Sequence, residues 1–221
     1  MIITLDGPAG AGKSSAARAL ASRLGWSYID TGAMYRAVAL IAIEQGIPLE
    51  DAPQLARLVE KIRIVFTNGR VLVEDRDVSA EIRTERITAA TRPVADAPPV
   101  REAMKHAQRR MAQGSNVVTE GRDQGTVVFP HADLKVFLTA SPVERAQRRQ
   151  AEELTRGHAT TFESILESHS RRDEADRLRP VGALRPADNA VLLETDGLTR
   201  EEVVEHLIIL IEAQRKAQAR E

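Results

Sequence analysis

The chain carries the stretch GPAGAGKSS at residues 7–15, and this stretch decides how the rest of the sequence is interpreted. Gly7 to Ser14 fits the pattern G-x-x-x-x-G-K-[ST] without a gap. The apolar run MIITLD precedes the loop and predicts a buried strand, and KSSAARALASRLG follows it with helical periodicity as far as Gly25. A glycine-rich loop between a strand and a helix is typical of a phosphate-binding loop, because its N–H groups converge beside the helix N-terminus.

The residue types of this loop suit a nucleoside triphosphate and a divalent cation. Lys13 is expected to reach the β- and γ-phosphates, and the Ser14 hydroxyl is expected to ligate Mg²⁺. The residues predicted to hold the nucleotide are Gly7, Pro8, Ala9, Gly10, Ala11, Gly12, Lys13, Ser14 and Ser15. The loop does not identify the molecule that accepts the phosphate, because ATPases, GTPases, motor proteins and small-molecule kinases share this loop. The sequence contains no N-K-x-D motif, which disfavours a GTPase.

The rest of the chain alternates between strand-like and helix-like segments. The runs WSYID, NVVTEG, LKVFLTA and AVLLETD predict strands, and amphipathic segments between them predict helices. This order predicts an α/β fold with a five-stranded parallel sheet flanked by helices. IRIVFTNGRVLVED interrupts it with two alternating runs around Asn68-Gly69, the pattern of an antiparallel hairpin. We therefore predict a core domain of residues 1–61 and 102–221 and a small inserted antiparallel β/α domain of residues 62–101.

Composition excludes several classes of protein. The chain has 221 residues, a formal net charge of −1 and 3% aromatic residues, so neither a basic field nor an aromatic platform favours a nucleic acid polymer. No apolar run reaches the roughly 18 residues that a membrane span needs. Cysteine is absent, which fits a reducing cytoplasm. Since nothing in the sequence demands more than a monomer, we expect a cytoplasmic monomer that binds small-molecule nucleotides.

Arginines gather in the segments expected at the C-terminal edge of the sheet, where ligands of such folds bind. Arg36 follows the second predicted strand, Arg101 ends the insert and Arg122 follows the third strand of the core. Two more groups lie in ERAQRR, residues 144–149, and RRDEADRLR, residues 171–179. A guanidinium group stays charged, and it can donate two parallel hydrogen bonds to the oxygens of one phosphate. The pattern indicates phosphoryl transfer, with solvated helix faces as the alternative for the helical arginines.

Taken along the whole chain, these motifs resemble bacterial cytidylate kinases, which transfer the γ-phosphate of ATP to CMP or dCMP. The segments that carry the resemblance are LDGPAGAGKSS, YIDTGAMYR, DVSAEIRT, VREAMKHAQRR, EGRDQGTVVFP, VFLTAS, ERAQRR and RRDEADRLR. The resemblance implies a P-loop kinase fold, ATP and Mg²⁺ as cofactors, a CMP-binding insert and a helical lid at about residues 148–172. The alternatives are another P-loop kinase, acting on UMP as well as CMP or on a metabolite, and a P-loop binder without activity.

The resemblance also implies roles for individual residues. The implied catalytic residues are Lys13, Arg122, Arg148, Arg172 and Arg179. The implied acceptor-binding residues are Thr31, Tyr35, Arg36, Thr91, Arg101, Arg122, Asp123, Arg172 and Asp176. Within this set, Thr31 and Arg36 are expected to hold the monophosphate and Asp176 the ribose. Arg101 and Asp123 are expected to read the cytosine.

The chain departs from the family pattern at a few positions. Thr31 stands where serine is usual, Glu120 replaces an aspartate and Gln124 replaces an apolar residue. The segment of residues 91–101 is one residue longer than the pattern. The hydroxyl at Thr31 survives its substitution, whereas the extra residue affects which hydroxyl near Thr91 faces the base.

Overall fold

The computed structural model describes residues 1–67, 69–155, 157 and 159–219, so Asn68 of the predicted hairpin turn and residues 156 and 158 of the predicted lid lie outside it. The strands are β1 (Ile2–Asp6), β2 (Ser27–Asp30), β3 (Ile64–Thr67), β4 (Arg70–Val73), β5 (Arg76–Asp77), β6 (Val117–Gly121), β7 (Leu134–Thr139) and β8 (Val191–Glu194). The α-helices are α1 (Lys13–Leu24), α2 (Thr31–Glu44), α3 (Ala52–Lys61), α4 (Glu85–Asp96), α5 (Pro98–Ala112), α6 (Pro142–Thr155), α7 (Phe162–Arg177) and α8 (Arg200–Gln218). Within the described ranges, none of these helices combines the length and the apolar character that crossing a bilayer requires.

Strand β1 lies at the centre of a five-stranded sheet with the order β2-β6-β1-β7-β8. β1 runs parallel to β6 and β7, and β7 runs parallel to β8. Asp6, the last residue of β1, lies opposite Gly121 of β6 and Phe137 of β7. The predicted α/β fold with a parallel sheet flanked by helices is therefore confirmed. The carboxyl ends of three neighbouring strands meet at one edge, and the phosphate loop begins at that edge.

The chain divides into two units, residues 1–28 with 115–221 and residues 29–114. In the first unit, α1 and α8 cover the sheet with a core that contains Leu5, Leu20 and Leu207. Burial of such side chains contributes about 1.5–3 kcal/mol each, so this core holds α1 and the loop before it against the sheet.

The second unit contains the small antiparallel sheet β3-β4-β5 and helices α2 to α5. Thr67 pairs with Arg70 across the hairpin, as the alternating runs predict. The predicted insert of residues 62–101 lies within this unit, which is longer than the prediction at both ends. The unit includes the flanking helices because α3 packs on α5 and α2 packs on α4. Helix α3 was not predicted from the sequence. Its start does carry a sequence signal, because Asp51 is an N-cap residue whose side chain accepts from Gln54 N at 3.0 Å.

Gly7 occupies the position where β1 passes into the phosphate loop. Its φ is +148°, and a Cβ at this position would lie 2.0 Å from the backbone oxygen of Leu138 in β7. A side chain there would force β1 away from β7, because the atom it meets belongs to a backbone that is fixed in the sheet. The close approach of these two strands therefore requires glycine.

We expect Gly7→Ala to lower the free energy of unfolding by at least about 3 kcal/mol, since overpacking adds to backbone strain. Gly25→Ala is the matched control: its φ is +65°, but nothing lies within 4 Å of the added Cβ. The control should lose only about 1–2 kcal/mol. Urea denaturation followed by circular dichroism measures both values, and equal losses would contradict the proposed clash.

Candidate active site

The phosphate loop passes directly into the N-terminus of α1. Gly10 and Gly12 both adopt left-handed backbone conformations, with φ of +77° and +82°. Gly12 is the N-cap of α1 and carries no side chain that would accept from the first N–H groups of the helix. These N–H groups and the helix dipole consequently favour an anion at this position.

Lys13 is buried, and its Nζ donates to the backbone oxygen of Pro8 at 2.7 Å. Burial, followed by the positive charge of Arg122, lowers the pKa of Lys13 to about 7. The carboxylates of Glu120 and Asp6 act in the opposite direction, but they do not restore the ordinary value. A phosphate beside Lys13 would supply the missing negative charge, so the site is suited to a polyanion.

Asp6 links the end of β1 to the segment after β6. Its two carboxylate oxygens accept from Gln124 N at 2.8 Å and from Gly125 N at 2.7 Å. Burial raises the pKa of Asp6 to about 7 even though these hydrogen bonds favour its charged form. A Cβ at Gly125 would lie 2.9 Å from Thr4 Oγ1, so this segment also lies close to β1. Asp6 was not predicted as a site residue, and it fixes the turn that begins after Asp123.

Arg122, Arg179 and Asp176 form one cluster, as the first unit places them. Arg122 Nε donates to Asp176 Oδ2 at 2.8 Å, and Arg179 Nη2 donates to Asp176 Oδ1 at 2.6 Å. Burial alone would raise the pKa of Asp176, but Arg122 and Arg179 hold it below the ordinary value. The carboxylate is therefore ionised near neutral pH and can only accept hydrogen bonds.

The two remaining predicted catalytic arginines come from α6 and α7. Arg148 Nε donates to Glu144 Oε1 at 2.9 Å, and its Nη1 donates to Thr195 Oγ1 at 3.0 Å, after β8. Arg172 lies in α7, and its charge lowers the pKa of Lys13. The structure thus brings several cations of the predicted catalytic set to the phosphate loop.

Ser14, the predicted Mg²⁺ ligand, donates from Oγ to Glu120 Oε1 at 2.9 Å. Glu120 is buried at the end of β6. Among the described residues, no group of three or more His, Cys, Asp or Glu side chains is placed to hold a metal ion. Ser14 Oγ and Glu120 Oε1 lie together, and both are oxygen ligands of the kind that a hard cation prefers.

The second unit carries the predicted monophosphate residues. Asp30 caps α2 by accepting from Ala33 N at 2.7 Å, and it lies 3.6 Å from Arg36 Nη2. Thr31 is buried in the first turn of α2, one residue after Asp30. The cap therefore fixes the helix start and the guanidinium of Arg36 together.

The predicted base-reading residues of this unit have partners of their own. Arg101 is buried, donates from Nη1 to Ala95 O at 3.0 Å and lies 6.0 Å from the ring centroid of Tyr35. Thr91 Oγ1 donates to Ile87 O at 2.6 Å within α4. Its hydroxyl proton is thus used within its own helix, which leaves the Thr91 oxygen as an acceptor for a ligand.

The sheet, the phosphate loop at the end of its central strand and the arginines around Lys13 define a P-loop kinase. The chain belongs to the cytidylate kinase family, because the family model "Cytidylate kinase" matches residues 3–213. A cytidylate kinase of Rhodopirellula baltica is 48% identical over 211 residues, which are 96% of this chain and 92% of that protein. A cytidylate kinase of Carboxydothermus hydrogenoformans is 44% identical over 96% of this chain and 97% of that protein. The resemblance found in the sequence is confirmed.

A structural comparison agrees on the fold. Shikimate kinase of Bacteroides thetaiotaomicron matches with a TM-score of 0.50 at 16% identity, over 96% of this chain and 98% of that chain. At this identity the likeness shows a shared fold, and the family assignment rests on the sequence relatives.

Because the pKa of Lys13 is about 7, most of the protein lacks this charge at pH 8. A triphosphate bound beside Lys13 should raise that pKa and take up about one proton per nucleotide. Titration calorimetry at pH 8 in two buffers of different ionisation enthalpy measures the uptake, since the phosphates themselves are then fully ionised. Lys13→Met should abolish it, and the exposed-site control Lys61→Met should not. An uptake below about 0.3 proton in the unmodified protein would show that Lys13 is already charged.

Proposed function

We propose that this protein transfers the γ-phosphate of ATP to CMP or dCMP, giving CDP or dCDP and ADP. The observation that carries the proposal is the match to the cytidylate kinase family over residues 3–213, which includes every residue of the predicted site. Among P-loop kinases, a metabolite kinase is not favoured, because the curated relatives that match this chain along its length are cytidylate kinases.

In this proposal the phosphate loop binds ATP, with its N–H groups and Lys13 on the β- and γ-phosphates. Ser14 Oγ and the adjacent Glu120 carboxylate are hard oxygen donors of the kind that Mg²⁺ prefers, so these residues fit a Mg²⁺ ion. The ion would neutralise charge on the phosphates. Lys13, once charged by its contact with phosphate, orients the γ-phosphate and stabilises the charge that develops during transfer.

The arginines stabilise the transferring group. Arg122 and Arg179 are aligned by Asp176, while Arg148 and Arg172 approach from the two helices α6 and α7. Phosphoryl transfer depends mainly on positioning and on charge stabilisation, and guanidinium groups supply both. Ionised Asp176 also keeps its predicted role as an acceptor for the ribose hydroxyls.

The acceptor is proposed to be bound by the residues that match the family motifs. Thr31 and Arg36, with Tyr35 beside them, bind the monophosphate. Arg101 and Asp123 read the cytosine, with the Thr91 hydroxyl as a further contact. We keep residues 62–101 as the CMP-binding insert, residues 148–172 as the lid, and a cytoplasmic monomer as the expected state of the enzyme.

The activity is tested by ADP release in a coupled assay with CMP, dCMP, UMP, AMP and shikimate as acceptors. We expect CMP and dCMP to be phosphorylated fastest. Lys13→Ala should lower kcat by about 10²–10³, because it removes a charged contact that is made in the transition state. Circular dichroism checks that the variant is folded. Turnover of folded Lys13→Ala within about tenfold of the unmodified enzyme would contradict the role of the loop.

Asp123 tests the choice of base. An ionised carboxylate accepts from the N4 amino group of cytosine and repels O4 of uracil, whereas an amide can donate to that oxygen. We expect Asp123→Asn to lower kcat/KM strongly for CMP and little for UMP, so that the CMP:UMP ratio falls at least about tenfold. The exposed Asp188→Asn serves as the control.

The alternative role for Asp123 is to orient Arg122, its neighbour in the chain. If Asp123 had that role, Asp123→Asn would lower kcat/KM equally for CMP and UMP. An unchanged CMP:UMP ratio of kcat/KM would therefore reject base reading. Arg122 Nε donates to Asp176, so Arg122 has an orienting partner other than Asp123.

A further inference from the structure

One buried ion pair outside the predicted catalytic set joins α6 and α7. Arg145 Nη1 of α6 donates to Asp173 Oδ2 of α7 at 2.5 Å. Only 5% of Arg145 and 3% of Asp173 are exposed. A buried ion pair contributes little net stability, because desolvation of the two charges offsets their attraction. Its location is therefore more informative than its strength.

The pair holds both backbone groups of Ala9, inside the phosphate loop. Asp173 Oδ1 accepts from Ala9 N at 3.1 Å, and Arg145 Nη1 donates to Ala9 O at 2.8 Å. Arg145 Nε donates to Ala140 O, directly after β7, at 3.1 Å. The orientation of the peptides on both sides of Ala9 is thus set by two side chains from distant helices.

The next residue of the loop shows how closely these helices approach. A Cβ at Gly10 would lie 2.9 Å from His169 Cε1 and 3.1 Å from Arg145 Cβ. Helices α6 and α7 therefore lie close to the phosphate loop at Gly10.

We propose that the Arg145–Asp173 pair is a positioning device that fixes the peptides of Ala9 for phosphate binding and aligns Arg148 and Arg172 with the same phosphates. Arg148 lies about one turn after Arg145 in α6, and Arg172 directly precedes Asp173 in α7. One pair of side chains therefore fixes the phosphate loop and the two arginine-bearing helices in a common frame. The inference rests on the proposed function, because it takes the loop to bind the donor phosphates.

Arg145→Met combined with Asp173→Leu tests this role, because apolar side chains replace the pair without leaving an unpaired buried charge. We expect the double variant to remain folded but with a lower Tm, because Ala9 N, Ala9 O and Ala140 O lose their hydrogen-bond partners. Its Kd for ADP should rise at least about tenfold, and its kcat should fall at least about tenfold, through loss of alignment. The KM for CMP at saturating ATP should rise less than the Kd for ADP, since Arg172 is the one acceptor-binding residue that the proposal links to the pair.

The matched control is Glu201→Leu with Arg200→Met, which removes an exposed ion pair at the start of α8, outside the proposed site and lid. This control should leave Kd and kcat unchanged. A folded double variant of Arg145 and Asp173 with unmodified Kd and kcat would overturn the positioning role and leave a purely structural one.

Asp173→Asn provides a second test if the double variant does not fold. It keeps an acceptor for Ala9 N but removes the charge that faces Arg145, so the Kd for ADP should still rise, and an unchanged Kd overturns the proposal. ADP binding is measured by calorimetry without an acceptor. A protein that binds ADP but phosphorylates no cytidine monophosphate would overturn the proposed function and leave the positioning role to be decided by the Kd.

Discussion

The site depends on a constraint: several positive charges must be buried close together before the negatively charged phosphates bind. Burial and neighbouring arginines lower the pKa of Lys13, and burial raises that of Asp6, so both groups shift toward their neutral forms. Charges of like sign at low dielectric would otherwise destabilise the fold. Carboxylates lie between the cations and reduce the repulsion between their positive charges. Many of the hydrogen bonds around the phosphate loop are made by these carboxylates.

These carboxylates also orient the site. Asp6 accepts from two backbone N–H groups after β6, Asp176 aligns two arginines, and Asp173 holds Ala9 in the loop. Each joins segments that are far apart in the chain but leave the same edge of the sheet. A hydrogen-bonded carboxylate resists rotation more than a solvated one does. The donors of the site are therefore fixed in direction before substrate binds, which is the condition for electrostatic stabilisation of a transition state.

The sequence predicted what depends on local pattern. The phosphate loop, the alternation of strands and helices, and the hairpin are each encoded within a few consecutive residues, and the structure agrees with them. Asp6 and Asp173 were not predicted as site residues, because each acts on a residue more than 100 positions away. Both lie within the quoted motifs LDGPAGAGKSS and RRDEADRLR, but a motif does not show which distant residue a carboxylate contacts.

The ERAQRR motif shows why even a correct motif leaves roles open. Arg145, Arg148 and Arg149 share one helix and one residue type, so the residues themselves do not separate them, and only the family resemblance selects Arg148. Their partners do separate them: Arg145 joins buried Asp173, Arg148 reaches Thr195 beyond β8, and Arg149 pairs with acids of its own helix. The helix turns by about 100° per residue, so residues three or four apart share a face but meet different neighbours along the axis. The three arginines of α6 therefore have different roles because the fold gives each of them a different hydrogen-bond partner.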